Sequence, residues 1–194
     1  MGKDTLIAAR HGTPGNSAPE SEAGGKKRII NRGGFFMSEK VDYLIRKETM
    51  ALDTAFDPEY QTVIYDQDGV FHSRKSKLDL LREACIHYRM CDFEGVLKGT
   101  KQIFNFNKAP IVVGDGLIAT PTKSPKLYDC QFIFLANVID FDATADGLYV
   151  TFSNQQQLKL NCSLHTFQKQ YSRTIMCAGY YHGLGKYIPW KKII

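Results

Sequence analysis

Phe132-Ile133-Phe134-Leu135-Ala136-Asn137-Val138-Ile139-Asp140-Phe141 is followed by Ala143-Thr144-Ala145-Asp146-Gly147, then Leu148-Tyr149-Val150-Thr151-Phe152, then Ser153-Asn154-Gln155, then Leu158-Lys159-Leu160. Three apolar runs of strand length alternate here with two turn-forming clusters. Short loops join neighbouring strands only when those strands run antiparallel, so the stretch predicts a meander.

The same pattern extends upstream. Val41 to Lys47 and Thr62 to Tyr65 read as strands, and Asp66-Gln67-Asp68-Gly69 turns into Val70-Phe71-His72, a hairpin. Gln102 to Phe106, Ile111 to Val113 and Leu117 to Thr120 read as further short strands, punctuated by Pro110 and Asp115-Gly116. Two segments have helical period instead. Leu78, Leu81, Ala84, Cys85 and Tyr88 recur at 3–4 spacing behind Ser76, a good N-cap, and predict a helix over about 77–91. Leu164, Phe167, Tyr171 and Ile175 predict a second over about 163–178, with Gly179, Gly183 and Gly185 ending it. The expected fold class is α+β: a single domain, mostly antiparallel strands and hairpins, with these two main helices.

The chain has 194 residues, 43% hydrophobic and 12% aromatic, enough for one domain with a core of its own. No apolar run approaches the roughly 20 residues that span a bilayer, and Met1 to Ala9 lacks the apolar core of a secretory signal. A cytoplasmic, nucleoid-associated protein is expected. Cys85, Cys91, Cys130, Cys162 and Cys177 make no CxxC pair, so reduced thiols are expected, with no metal and no cofactor.

Residues 1–36 are polar, Gly/Pro-rich and aperiodic, which predicts a disordered leader. The codons of Arg32-Gly33-Gly34 can spell a ribosome-binding sequence, so Met37 is a candidate native start and the leader a candidate upstream extension. Residues 37–178 then form the domain, and 179–194 a short basic-aromatic tail (Tyr187-Ile188-Pro189-Trp190-Lys191-Lys192).

Charge is unevenly spread over this +5 chain. Residues 1–36 carry +3, 37–95 carry −4, 96–146 are neutral, and 147–194 carry six basic residues and no acid. An acid-free rear is suited to a polyanion.

Catalytic signatures do not assemble. Gly183-Leu184-Gly185-Lys186 lacks both the earlier Gly and the following Ser/Thr of a phosphate loop. Arg10-His11-Gly12 resembles the opening of the histidine phosphatases, but no helical pattern follows it. Asp140 and Asp142 share a strand face beside a turn, as exposed acids commonly do. The chain is expected not to be an enzyme.

Gly95-Val96-Leu97-Lys98-Gly99-Thr100, Lys108-Ala109-Pro110-Ile111-Val112-Val113, Pro121-Thr122-Lys123-Ser124 with Cys130 downstream, and Thr151-Phe152-Ser153-Asn154 followed by Ser163, Phe167, Tyr171 and Arg173-Thr174 stand in one order. Residues 85–174 resemble the ComK family of competence transcription factors on these motifs. The resemblance implies an activator of DNA-uptake and recombination genes. Such proteins bind paired A·T-rich promoter boxes in double-stranded DNA through the minor groove, as homodimers or higher oligomers. It further implies work with RNA polymerase, control by an adaptor and protease, and no membrane.

Minor-groove edges carry little sequence information, so groove width and box spacing must supply specificity, and inserted Lys or Arg suits the negative potential of A·T tracts. The candidate DNA contacts are Lys98, Gly99, Thr100, Lys101, Lys123, Lys126, Lys159, Lys169 and Arg173. Gly95, Gly99 and Thr100 are taken as a loop whose amides approach phosphate. Arg74, Lys75 and Lys77 form a second set. The alternative from another class is a regulatory adaptor that keeps the fold without gripping DNA; a histidine-phosphatase-like enzyme comes third.

Overall fold

The structure, a computed structural model, describes the backbone of Met37–Glu39 and residues 42–181. The readings of the leader, of Arg10-His11-Gly12 and of the tail beyond residue 181 lie outside the described residues.

The described chain is α+β. Seven strands form one sheet: β1 (Met37–Glu39), β2 (Thr49–Thr54), β3 (Thr62–Asp66), β4 (Gly69–Ser73), β5 (Ile111–Gly114), β6 (Leu117–Pro121) and β7 (Phe132–Phe134). Their order is β1-β4-β3-β2-β7-β6-β5, antiparallel except for the parallel β1–β4 pair. The expected hairpin is β3–β4, turned by Gln67 and Asp68, with Gly69 at φ 139°, a conformation that glycine adopts without strain. A second sheet holds β8 (Val138–Thr144), β9 (Gly147–Phe152) and β10 (Gln157–Leu160) in the order β10-β9-β8, the expected meander.

Among the described residues there are three helices, not two: α1 (Lys77–Arg89), α2 (Phe93–Phe104) and α3 (Leu164–Tyr181). Ser76 caps α1 as expected, its hydroxyl accepting the Asp79 amide at 3.2 Å. Met90 in the left-handed region closes it. The helix α2 replaces the expected loop at Gly95/Gly99/Thr100 and the expected strand over Gln102 to Phe106. Asp92 caps its start by accepting the Gly95 amide, and Asn105 closes it at φ 54°. Its buried side is Phe93, Val96, Thr100 and Phe104.

The large sheet is covered on both faces. Leu52, Ile64, Phe132 and Phe134 face a core closed by α1 and α2 through Leu80, Leu81, Phe93 and Phe104. Met50, Ala51 and Ile133 face a second core with Leu148, Val150 and Phe152 of the small sheet and Phe167 of α3. Alternate residues of β7 thus serve opposite cores, and a strand buried on both faces reads as an unbroken apolar run.

That run does not reach Phe141 in one piece. A 3₁₀ turn at Leu135–Asn137 breaks it, because Asn137 is anchored inward: its side-chain amide donates to the carbonyls of Lys47 (2.9 Å) and Thr49 (2.8 Å). Residues 42–48 are not a strand either; Tyr43 and Ile45 are buried, but no ladder pairs them. Among the described residues, no helix is long and apolar enough to cross a membrane.

Candidate nucleic-acid interface

The helix α3 is the element around which the basic residues gather. Ser163 opens it, accepting the Thr166 amide on its hydroxyl (3.3 Å) and the Phe167 amide on its carbonyl (3.0 Å). No acid occurs from residue 147 onward, so no carboxylate of α3 offsets the positive end of its dipole. Its buried face is Phe167, Gln170, Thr174 and Cys177 rather than the expected Leu164/Phe167/Tyr171/Ile175 stripe. Tyr171 is 37% and Ile175 56% exposed. Polar bonds set this rotation: Gln170 donates to the carbonyl of Pro121 at 2.9 Å, and the hydroxyls of Thr174 and Thr120 meet at 2.9 Å. Gly179 lies inside the helix rather than ending it.

On the open side of α3 stand His165, Gln168, Lys169 and Ser172, all exposed. Lys169 has no acidic partner among the described residues. Arg173, one turn on, is half-buried over the Phe106 ring (4.8 Å) and donates to Gln170 Oε1 (2.8 Å) and the Lys108 carbonyl (3.3 Å). Burial holds its pKa below the ordinary arginine value. The group is therefore first a strut between α3 and the loop of residues 105–110.

That loop adds Lys108, which was not among the sequence candidates although Lys108-Ala109-Pro110 was one of the quoted motifs. Burial raises the Cys162 thiol, while the ammonium groups of Lys108 and Lys123 oppose the rise. The Lys108 carbonyl accepts from Gln170 (3.2 Å) as well as from Arg173, so the loop is held against α3 at the level of these two residues. Asn161 ties the β6–β7 loop to the segment before α3: it accepts from Thr122 Oγ1 at 2.9 Å, and its amide donates to Gln131 Oε1 at 2.9 Å. Lys123 is ion-paired with Asp129 in that loop, and Lys126 is exposed without an acidic partner among the described residues.

The other candidates separate from this group. Lys159 on β10 pairs with Asp146 at 3.1 Å and lies 5.8 Å from the Tyr149 ring; exposed as the pair is, it is weak and can be exchanged for phosphate. Lys98 and Lys101 lie on the open face of α2, three residues apart, and the chain runs from there through Asn105 and Phe106 to Lys108. Gly99 is half-buried within the helix. Thr100 is fully buried with its hydroxyl donating to the Val96 carbonyl at 3.0 Å, so it is not on the surface at all.

The second basic set is consumed by the fold. Arg74 pairs with Glu59, and Lys75 with Glu83 at 2.9 Å. Lys77 is 7% exposed, its ammonium donating to Thr54 Oγ1 and to the Tyr128 carbonyl (2.7 Å); burial lowers its pKa. Asp92 as a cap and the Phe93/Val96/Thr100/Phe104 spacing are the sequence signals that could have revealed α2, and with it the true place of Gly99 and Thr100.

Asp140 and Asp142 are exposed on β8. Among the described residues no group of three or more His, Cys, Asp or Glu is placed to hold a metal ion.

Comparison with known proteins gives two matches. The sequence model of the family described as ComK protein matches residues 40–182. A protein named competence transcription factor, from Bacillus subtilis (strain 168), is 29% identical over 71% of this chain and 77% of its own length. No solved structure matches.

Proposed function

Because this chain belongs to the ComK protein family, we propose that it is a transcription regulator of competence genes that grips double-stranded DNA with the surface around the start of α3. In this reading residues 37–178 are the DNA-binding domain, A·T-rich promoter boxes are read through the minor groove, and two or more copies act together, with RNA polymerase as the beneficiary and an adaptor and protease as the control. It is a regulator and not an enzyme.

One observation carries the reading. An acid-free helix, joined to the Lys108 carbonyl through Gln170 and Arg173 and preceded by Asn161, which accepts from the Thr122 beside Lys123, displays Lys169 unpaired on its open face. Phosphate affinity arises from such a concentration of donors and charge, whatever the base sequence. Lys126, Lys98 and Lys101 extend the surface to either side. The A·T preference is then a matter of groove width and bending. Gly99 and Thr100 drop out of the contact set, and Arg173 becomes a positioning group.

The test is a gel shift with an A·T-box duplex against a G·C-rich control over a salt series. The reading expects a preference for the A·T duplex and steep weakening with salt. An adaptor that keeps the fold without gripping DNA shifts neither duplex.

A further inference from the structure

A groove of about 610 Å³ opens between α3 and the 3₁₀ turn, floored by Ile118 and Phe134 and walled by Tyr171 and Ile175. Lys47 and Glu48 stand at its rim. Glu48 faces Arg46 at 3.9 Å, whereas Lys47 is exposed with no acidic partner among the described residues. At the far end of the β2–β3 hairpin is the converse shape. Phe56 is 88% exposed, the most exposed aromatic ring among the described residues, and Tyr128 beside it is 63% exposed. The Tyr128 hydroxyl donates to the Ala55 carbonyl at 3.2 Å, fixing the two together. Asp57 follows, bonded to the amides of Glu59 (2.8 Å) and Tyr60 (3.1 Å) and without an ion pair among the described residues.

We propose that a second copy of this chain docks head to tail, seating its Phe56 in the groove of the first with its Asp57 at Lys47. The proposal gives the oligomer of the preceding section an interface and rests on that part of the reading, not on the DNA contact. A molecule cannot fill its own groove with this ring. Lys47 and Glu48 precede β2 and Gln67 follows β3, so the six residues of β2 hold knob and groove about 20 Å apart. Charge favours the match: an unpaired carboxylate beside the knob meets an unpaired ammonium at the rim. One buried ring and one ion pair are in keeping with a weak, concentration-dependent contact. Knob and groove are different surfaces, so the pair as a whole still presents one of each.

Sedimentation velocity of the full chain without DNA, over a concentration series, tests this. Wild type should self-associate, and Phe56→Ala and Ile175→Glu should each weaken association at least tenfold. Both side chains are exposed, so folding should be unchanged by circular dichroism. A mixture of the two variants should form one-to-one dimers and nothing larger, because one intact knob meets one intact groove. A wild-type chain that stays monomeric overturns the proposal together with the oligomeric reading. Variants that associate like wild type, or a mixture that stays monomeric, overturn the interface alone. DNA affinity of the monomeric variants, measured separately, reports on the α3 surface.

Discussion

Arg173 sits with its guanidinium 4.8 Å from the centre of the Phe106 ring and its Nη1 3.3 Å from the carbonyl of Lys108. One side chain thus fixes the loop that follows α2, with Lys108 in it, against α3. A charged residue expected to touch DNA proves to be part of what shapes the surface.

Arg173→Ala should cost about 1–2 kcal/mol of stability, through the lost stacking and the lost charge-assisted hydrogen bonds. Arg173→Lys should restore the charge but little of that loss, since an ammonium lacks the planar fork and stacks poorly. Urea titrations of the two variants check this. A fully stable Arg173→Ala variant with weakened DNA binding would make the residue a direct contact instead.

Gly99→Ala should stabilise the protein by about 0.5–1 kcal/mol, because Gly99 lies inside α2 and a Cβ there meets nothing within 4 Å. DNA affinity should be unchanged. Were this segment a loop pressing its amides on phosphate, the same substitution would weaken binding and give no gain in melting temperature.

The difference between those two outcomes shows where the sequence was legible. The hairpin turned at Gln67 and Asp68 and the Ser76 cap depend on neighbours in the chain, and both were read from local residues. The helix α2 was missed because Gly95 and Gly99 look like loop residues, and its Ile103-Phe104 end looks like strand. Its Asp92 cap and its packing against β5 overrule those preferences. The rotation of α3 was misjudged for another reason. Gln170 and Thr174 are polar, yet they face inward because Pro121 and Thr120 offer them partners, which no periodicity of apolar residues reveals. The charge map located the basic rear, but not which cations the fold encloses: Lys77 is buried beside Tyr128, its ammonium 5.7 Å from the ring centre.

Acid should weaken the fold through Asp66. Burial alone would raise its pKa, but hydrogen bonds from Arg46 and Tyr43 outweigh burial and hold it below the usual carboxylate value. The stabilisation is therefore complete above the unfolded value, near pH 4, and drains away as the pH falls through the lowered folded value. Asp66→Asn should destabilise the protein by about 3 kcal/mol at pH 7 and flatten that acid limb. Denaturation midpoints of both proteins between pH 2 and pH 7 check this; parallel acid limbs would place the titration elsewhere.

The most direct measurement of the central claim is the salt dependence of binding to an A·T-box duplex, for wild type and for Lys169→Ala. About five neutralised phosphates imply a loss of roughly 500-fold in affinity between 50 and 200 mM salt. Lys169→Ala should weaken A·T-rich and G·C-rich duplexes alike and lower the slope of log affinity against log salt by about 1, with stability unchanged. Affinity that ignores salt, or a Lys169→Ala variant that binds with the wild-type slope, would contradict a DNA-binding surface at the start of α3.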